Sequence, residues 1–64
     1  MRRTEFWHRM EAVFGQQYAS SWAADHVLAA LSGRTVVQAL ADGDSAKQVW
    51  AAVVAEVDVP PTLR

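Results

Sequence analysis

No cysteine occurs in the 64 residues, so neither a disulfide nor a thiolate metal site can supplement the fold. Glycine is confined to three positions and proline to two, which excludes a low-complexity or linker-like chain. Charge of one sign is also missing. Six Lys and Arg stand against seven Asp and Glu, a formal net charge of −1. There is thus no global basic field to gather nucleic acid or anionic lipid. No apolar run reaches the ~18 residues that a membrane span needs. The start, "MRRTEF", follows two arginines with charged and aromatic residues and lacks the apolar middle of a signal peptide. A cytoplasmic protein that does not enter a membrane is expected.

What is present is apolar side chain. Residues of the set AVILMFWYC make up 52% of the chain, three tryptophans among them. A chain this short buries only about 60% of the surface its unfolded form exposes. Large aromatics offset that, each removing on the order of 150–250 Å² from water. Residues 1–59 are expected to form one helical domain and residues 60–64 a flexible C-terminal tail.

The pattern predicts an all-α fold, a small orthogonal bundle of four short helices. Thr4 is a suitable N-cap for helix one, over about 5–14. Its apolar residues Phe6, Trp7, Met10, Val13 and Phe14 share a face, and Gly15 suits the turn that ends it. Helix two is expected from about Gln16 to Leu31, stopping at Ser32-Gly33. At 100° steps Tyr18, Trp22, His26 and Ala29 fall in one arc, and Ala24, Val27, Leu28 and Leu31 lie opposite. Only Ser21 and Asp25 form a clear polar arc. A helix apolar nearly all round is buried nearly all round, so helix two is expected at the centre. Helix three follows from a capping box, Thr35 with Gln38 three residues later, and ends at Gly43. Helix four is capped by Asp44 or Ser45 and runs to about Val57. Its apolar face is Ala46, Val49, Trp50, Val53, Val54 and Val57. Pro60 and Pro61 stop any continuation.

The segments "TEFWHRM", "FGQQYASSWAADHVLAAL", "GRTVVQALADGDSAKQVWAAV" and "DVPP" resemble a family of small uncharacterised actinobacterial proteins, Domain of Unknown Function 3046. The resemblance spans nearly the whole chain. Members of that family are often encoded beside a DNA recombinase and its regulator, which implies a link to recombination and repair by association. It carries no catalytic residues across. Ser45 stands where proline is common in the family, a position that tolerates serine.

Three groups of residues are candidates for function. Asp25 and His26 are adjacent, so on a helix they point about 100° apart and do not face each other. They read as a structural polar seam, with His26 partly buried against Trp22 and Asp25 a surface acid or a partner of Arg34 or Arg9. His8 and His26, the two histidines, do not form the i, i+4 pair of a helical zinc site, and no metal or cofactor is expected. Residues 35–57 read as helix, turn, helix, with Ala39, Gly43 and Val49 spaced as in a helix-turn-helix. Arg2, Arg3, Arg34 and Lys47 are then the possible nucleic-acid contacts, although Glu56 and an alanine-rich surface weaken phosphate attraction. The exposed face of helix four, Lys47, Gln48, Ala51, Ala52 and Ala55, is the possible partner-binding face. The expected function is that of a non-enzymatic accessory or regulatory protein acting through an unidentified protein partner or as a homodimer. DNA binding by residues 35–57 is the alternative.

Overall fold

Two of the four helices start on capping boxes. In the computed structural model, which describes residues 1–64, Thr35 Oγ1 accepts from the Gln38 backbone N–H at 3.1 Å, and Gln38 Oε1 accepts from the Thr35 N–H at 3.0 Å. Ser45 and Gln48 repeat the arrangement at 3.1 and 3.2 Å. Each box satisfies backbone donors that a first helical turn leaves open. The helices launched are α3 (Val36–Ala41) and α4 (Ala46–Glu56). Ser45 is the cap of α4, which leaves Asp44 free for another contact.

Helix α1 (Arg3–Phe14) begins earlier than its sequence suggests. Arg2 is its N-cap without a side-chain cap bond, and Thr4 lies inside the helix. At its end Gly15 takes a positive φ of 89° and donates its N–H to Glu11 O at 2.7 Å.

The segment after α1 departs most from expectation. Helix α2 (Ala19–Asp25) stops at residue 25 instead of running to Leu31. His26 is extended, with φ −92° and ψ 119°. Val27–Leu28 forms strand β1, which pairs antiparallel with β2 (Arg34–Thr35) in the register Val27↔Thr35 and Leu28↔Arg34. A 3-10 turn over Ala29–Leu31 reverses the chain, helped by positive φ at Ser32 and Gly33. The fold is therefore mostly helical, 66%, with a small two-stranded sheet, and is not purely all-α. Extended backbone sends successive side chains to opposite faces. Here Val27 is exposed and Leu28 fully buried. Burial of Leu28 and the ladder override the helix propensity of Ala29, Ala30 and Leu31.

The centre of the core also moves. Helix α4 contributes Ala46, Val49, Trp50, Ala52 and Val53, whereas α2 contributes Ala19, Trp22 and Ala23. Helix α4 packs on α1, α3 and β1, and the outer side of α2, Ser20, Ser21, Ala24 and Asp25, faces water. The expectation of α2 as an all-round buried helix fails because Val27, Leu28 and Leu31, which made its far side apolar, lie outside the helix. Phe6 meets Trp50 edge to face at 6.1 Å, and the Arg9 guanidinium lies 5.8 Å from the Trp50 ring centre. Ala39 and Val49 are fully buried on either side of Gly43, whose φ is 98°. The last residues form a 3-10 turn, Pro61–Leu63, with Leu63 packed against the core. No helix is long and apolar enough to cross a membrane.

Candidate functional site

Tyr18, Ser21, Trp22, Asp25 and His26 line a shallow cleft of about 140 Å³. Helical spacing explains the grouping, because residues three, four and seven apart share a face. Trp22 anchors it at 9% exposure. The Phe14 ring stacks on Trp22 at 4.3 Å and 21°, and Trp22 stacks with His26 at 4.8 Å and 13°. Tyr18 stands beside this series and is 58% exposed.

His26 is not a core histidine. Its backbone N–H closes the last turn of α2 on Trp22 O at 2.9 Å. The helix ends there, and the side chain is left 45% exposed. Its Nε2 is 3.7 Å from Glu56 Oε2, an ion pair only when the imidazole is protonated. Asp25 pairs with neither expected cation. Arg9 binds Glu5 at 2.8 Å, and Arg34 binds Asp42 and Asp44. Tyr18, Ser21 and Asp25 therefore present side-chain oxygens that no group of the chain engages. Asp25, a surface acid, and His26, against Trp22, form one wall of this cleft. Its signal in the sequence was the shared arc of Tyr18, Trp22 and His26 next to the polar arc of Ser21 and Asp25.

Arg34 organises the opposite end of β2. Its Nε donates to Leu31 O at 2.9 Å, Nη2 to Asp44 Oδ2 at 2.7 Å, and Nη1 to Asp42 Oδ2 at 3.2 Å and Asp44 Oδ1 at 3.3 Å. The hydrogen bond to Asp44, then that to Asp42, raises the Arg34 pKa. The same bond to Arg34 holds the Asp44 carboxyl below the ordinary 3.8. Arg3 donates to Leu40 O at 3.0 Å. Of the four cations considered for nucleic acid, Arg3 and Arg34 are thus both engaged internally, with two carboxylates against one guanidinium at Arg34. Arg2 and Lys47 are exposed. On α4, Lys47, Gln48, Ala51 and Ala55 are exposed, but Ala52 is 5% exposed and belongs to the core. Gln48 already serves its capping box.

A family model described as "Protein of unknown function (DUF3046)" matches residues 1–62. The chain belongs to the DUF3046 family. The match contains the whole cleft and the Arg34 cluster. No curated protein and no solved structure matches the chain. This DUF3046 chain brings together no group of three or more His, Cys, Asp or Glu side chains that could hold a metal ion.

Proposed function

We propose that this protein works in the cytoplasm by docking on another protein through the α2 cleft, without catalysing a reaction. The observation that carries the reading is the contrast within the cleft. Trp22 is fixed by stacking, while Tyr18, Ser21 and Asp25 beside it are accessible and unengaged. A rigid aromatic anchor with free polar groups around it is the chemistry of a protein contact. The volume agrees. Metabolite pockets run from about 300 to 1,000 Å³, and about 140 Å³ suits a single side chain. Nucleophilic catalysis needs a base in hydrogen-bond reach of its nucleophile, and Ser21 is not bonded to His26.

A second reading, DNA binding through residues 35–57, is favoured by the buried Ala39 and Val49 flanking Gly43. Asp42 and Asp44 weigh against it by neutralising Arg34 where phosphate would approach. Photo-crosslinking in cells separates the two. With p-benzoylphenylalanine in place of Tyr18, one protein identified by mass spectrometry should be captured, and far less of it when the residue replaces Lys47. Fluorescence anisotropy with duplex DNA at low salt should show no binding. Steeply salt-dependent binding together with silence at position 18 would overturn the docking reading.

A further inference from the structure

We infer that the α2 cleft receives the guanidinium of an arginine side chain presented by the partner protein. This rests on the docking reading above and names the group that the cleft recognises.

The lining sets the sign of the ligand. Asp25 supplies a carboxylate, Tyr18 and Ser21 supply hydroxyl oxygens, and no lysine or arginine lines the cleft. Behind His26, Glu56 Oε2 adds a second carboxylate 3.7 Å from Nε2. An anion would meet the Asp25 carboxylate, and His26, the one lining side chain that can carry positive charge, already has Glu56 against its Nε2. A cation meets acceptors on the wall. Four of the chain's six cations are held elsewhere, Arg9 on Glu5, Arg34 on Asp42 and Asp44, Arg3 on Leu40 O and Arg64 on Val59 O, and neither Arg2 nor Lys47 lines the cleft. None of these fills the cleft from within.

The rings set the shape of the ligand. Trp22 and His26 lie within 13° of parallel, and the accessible imidazole is the outward member of the pair, at 45% exposure against 9% for Trp22. A planar group can continue such a series. Guanidinium is planar, weakly hydrated and able to stack on rings while its fork of N–H donors meets a carboxylate through two parallel bonds. An ammonium is a compact, strongly hydrated charge with no plane to stack. Asp25, next to His26 and seven residues from Tyr18, offers that carboxylate at the cleft wall. The volume of about 140 Å³ holds one such side chain and little else.

The test uses the full chain, amide NMR, and three capped amino acids as probes: N-acetyl-arginine amide, N-acetyl-lysine amide and N-acetyl-glutamine amide. The arginine probe should give saturable shifts at Ser21, Asp25 and His26, with the lysine probe several-fold weaker and the neutral glutamine probe silent. Asp25→Asn should weaken the arginine probe at least tenfold. That side chain makes no hydrogen bond or ion pair within the chain, so the variant should fold, and unchanged near-UV dichroism from the stacked Phe14, Trp22 and His26 rings checks this. No saturable response to arginine, an equal response to glutamine, an equal affinity for lysine, or indifference to Asp25→Asn each overturns the assignment. If the arginine probe fails while crosslinking at position 18 persists, the guanidinium is wrong and docking stands. If both fail, the docking reading fails with it.

Discussion

Arg34 and Asp44 are joined by two nitrogen–oxygen contacts, Nη2 to Oδ2 at 2.7 Å and Nη1 to Oδ1 at 3.3 Å. The same guanidinium reaches Leu31 O with its Nε, so one side chain ties the hairpin loop to the turn between α3 and α4. A lysine has neither the fork nor the third donor direction that this requires.

The pair makes stability depend on acid. Asp44 is held below the ordinary carboxyl value of 3.8 by the Arg34 donors. As pH falls, the unfolded chain binds a proton at this site before the folded chain does. The contribution is complete above about pH 5 and is lost as pH drops through 3.8 and on through the depressed folded value. Urea unfolding followed by circular dichroism across this range should show a shallower decline for Asp44→Asn, by up to about one proton. An identical pH slope in the variant and the parent would show that the pair is not formed in solution.

The hairpin can be tested by two neighbouring residues. Leu28 is fully buried and Val27 is 57% exposed. Leu28→Ala should cost roughly 2–5 kcal/mol, and Val27→Thr should stay within about 0.5 kcal/mol. Were the helix to continue to Leu31, Val27 and Leu28 would share a buried side, and the two substitutions would both be costly.

Gly33 turns the chain into β2 with φ 78°, and a Cβ added there meets nothing within 4 Å. The expense of Gly33→Ala is then backbone strain alone, roughly 1–2 kcal/mol. A chemically synthesised chain with D-alanine at this position should match or exceed the parent in thermal stability. A D-alanine chain as unstable as the L-alanine one would point to crowding instead.

Trp22 and His26 should separate in the same way. Trp22→Ala removes a buried ring and should cost about 3–5 kcal/mol. His26→Ala removes one stacked partner at the surface and should cost about 0.5–1.5 kcal/mol. A loss of 3 kcal/mol or more for His26 in denaturant titrations would place it in the core.

Both capping boxes use neighbours three residues apart; Thr35–Gln38 was legible from that spacing, while for α4 the sequence left Asp44 and Ser45 as alternatives. The buried faces of α1 and α4 followed from the same periodicity at Phe6, Met10, Val49, Trp50 and Val53. Strands of two residues leave too short a pattern to read, and Ala29-Ala30-Leu31 speaks for helix until the burial of Leu28 is known. The stacking of His26 on Trp22 matches the expected contact, but the end of α2 at residue 25 leaves the imidazole more open than a continuous helix would. Ala52 was misplaced because alanine carries little signal for either side of a helix. The Arg34 cluster depends on how the turn after α3 folds back, which residue spacing does not specify. For the cleft, the sequence put Tyr18, Trp22 and His26 in one arc but called that side packed, since a short helix and a long one share the same wheel.

Arg3 reaches Leu40 O across 37 residues of chain, whereas the other side-chain hydrogen bonds join residues ten or fewer apart. Closing short loops costs little chain entropy, and contacts near in sequence form fastest. The polar framework from Leu31 to Gln48 can thus assemble before the two ends of the chain meet. Refolding should then show this stretch organised early, with the docking of α1, and the arrival of Arg3 at the end of α3, as the late event.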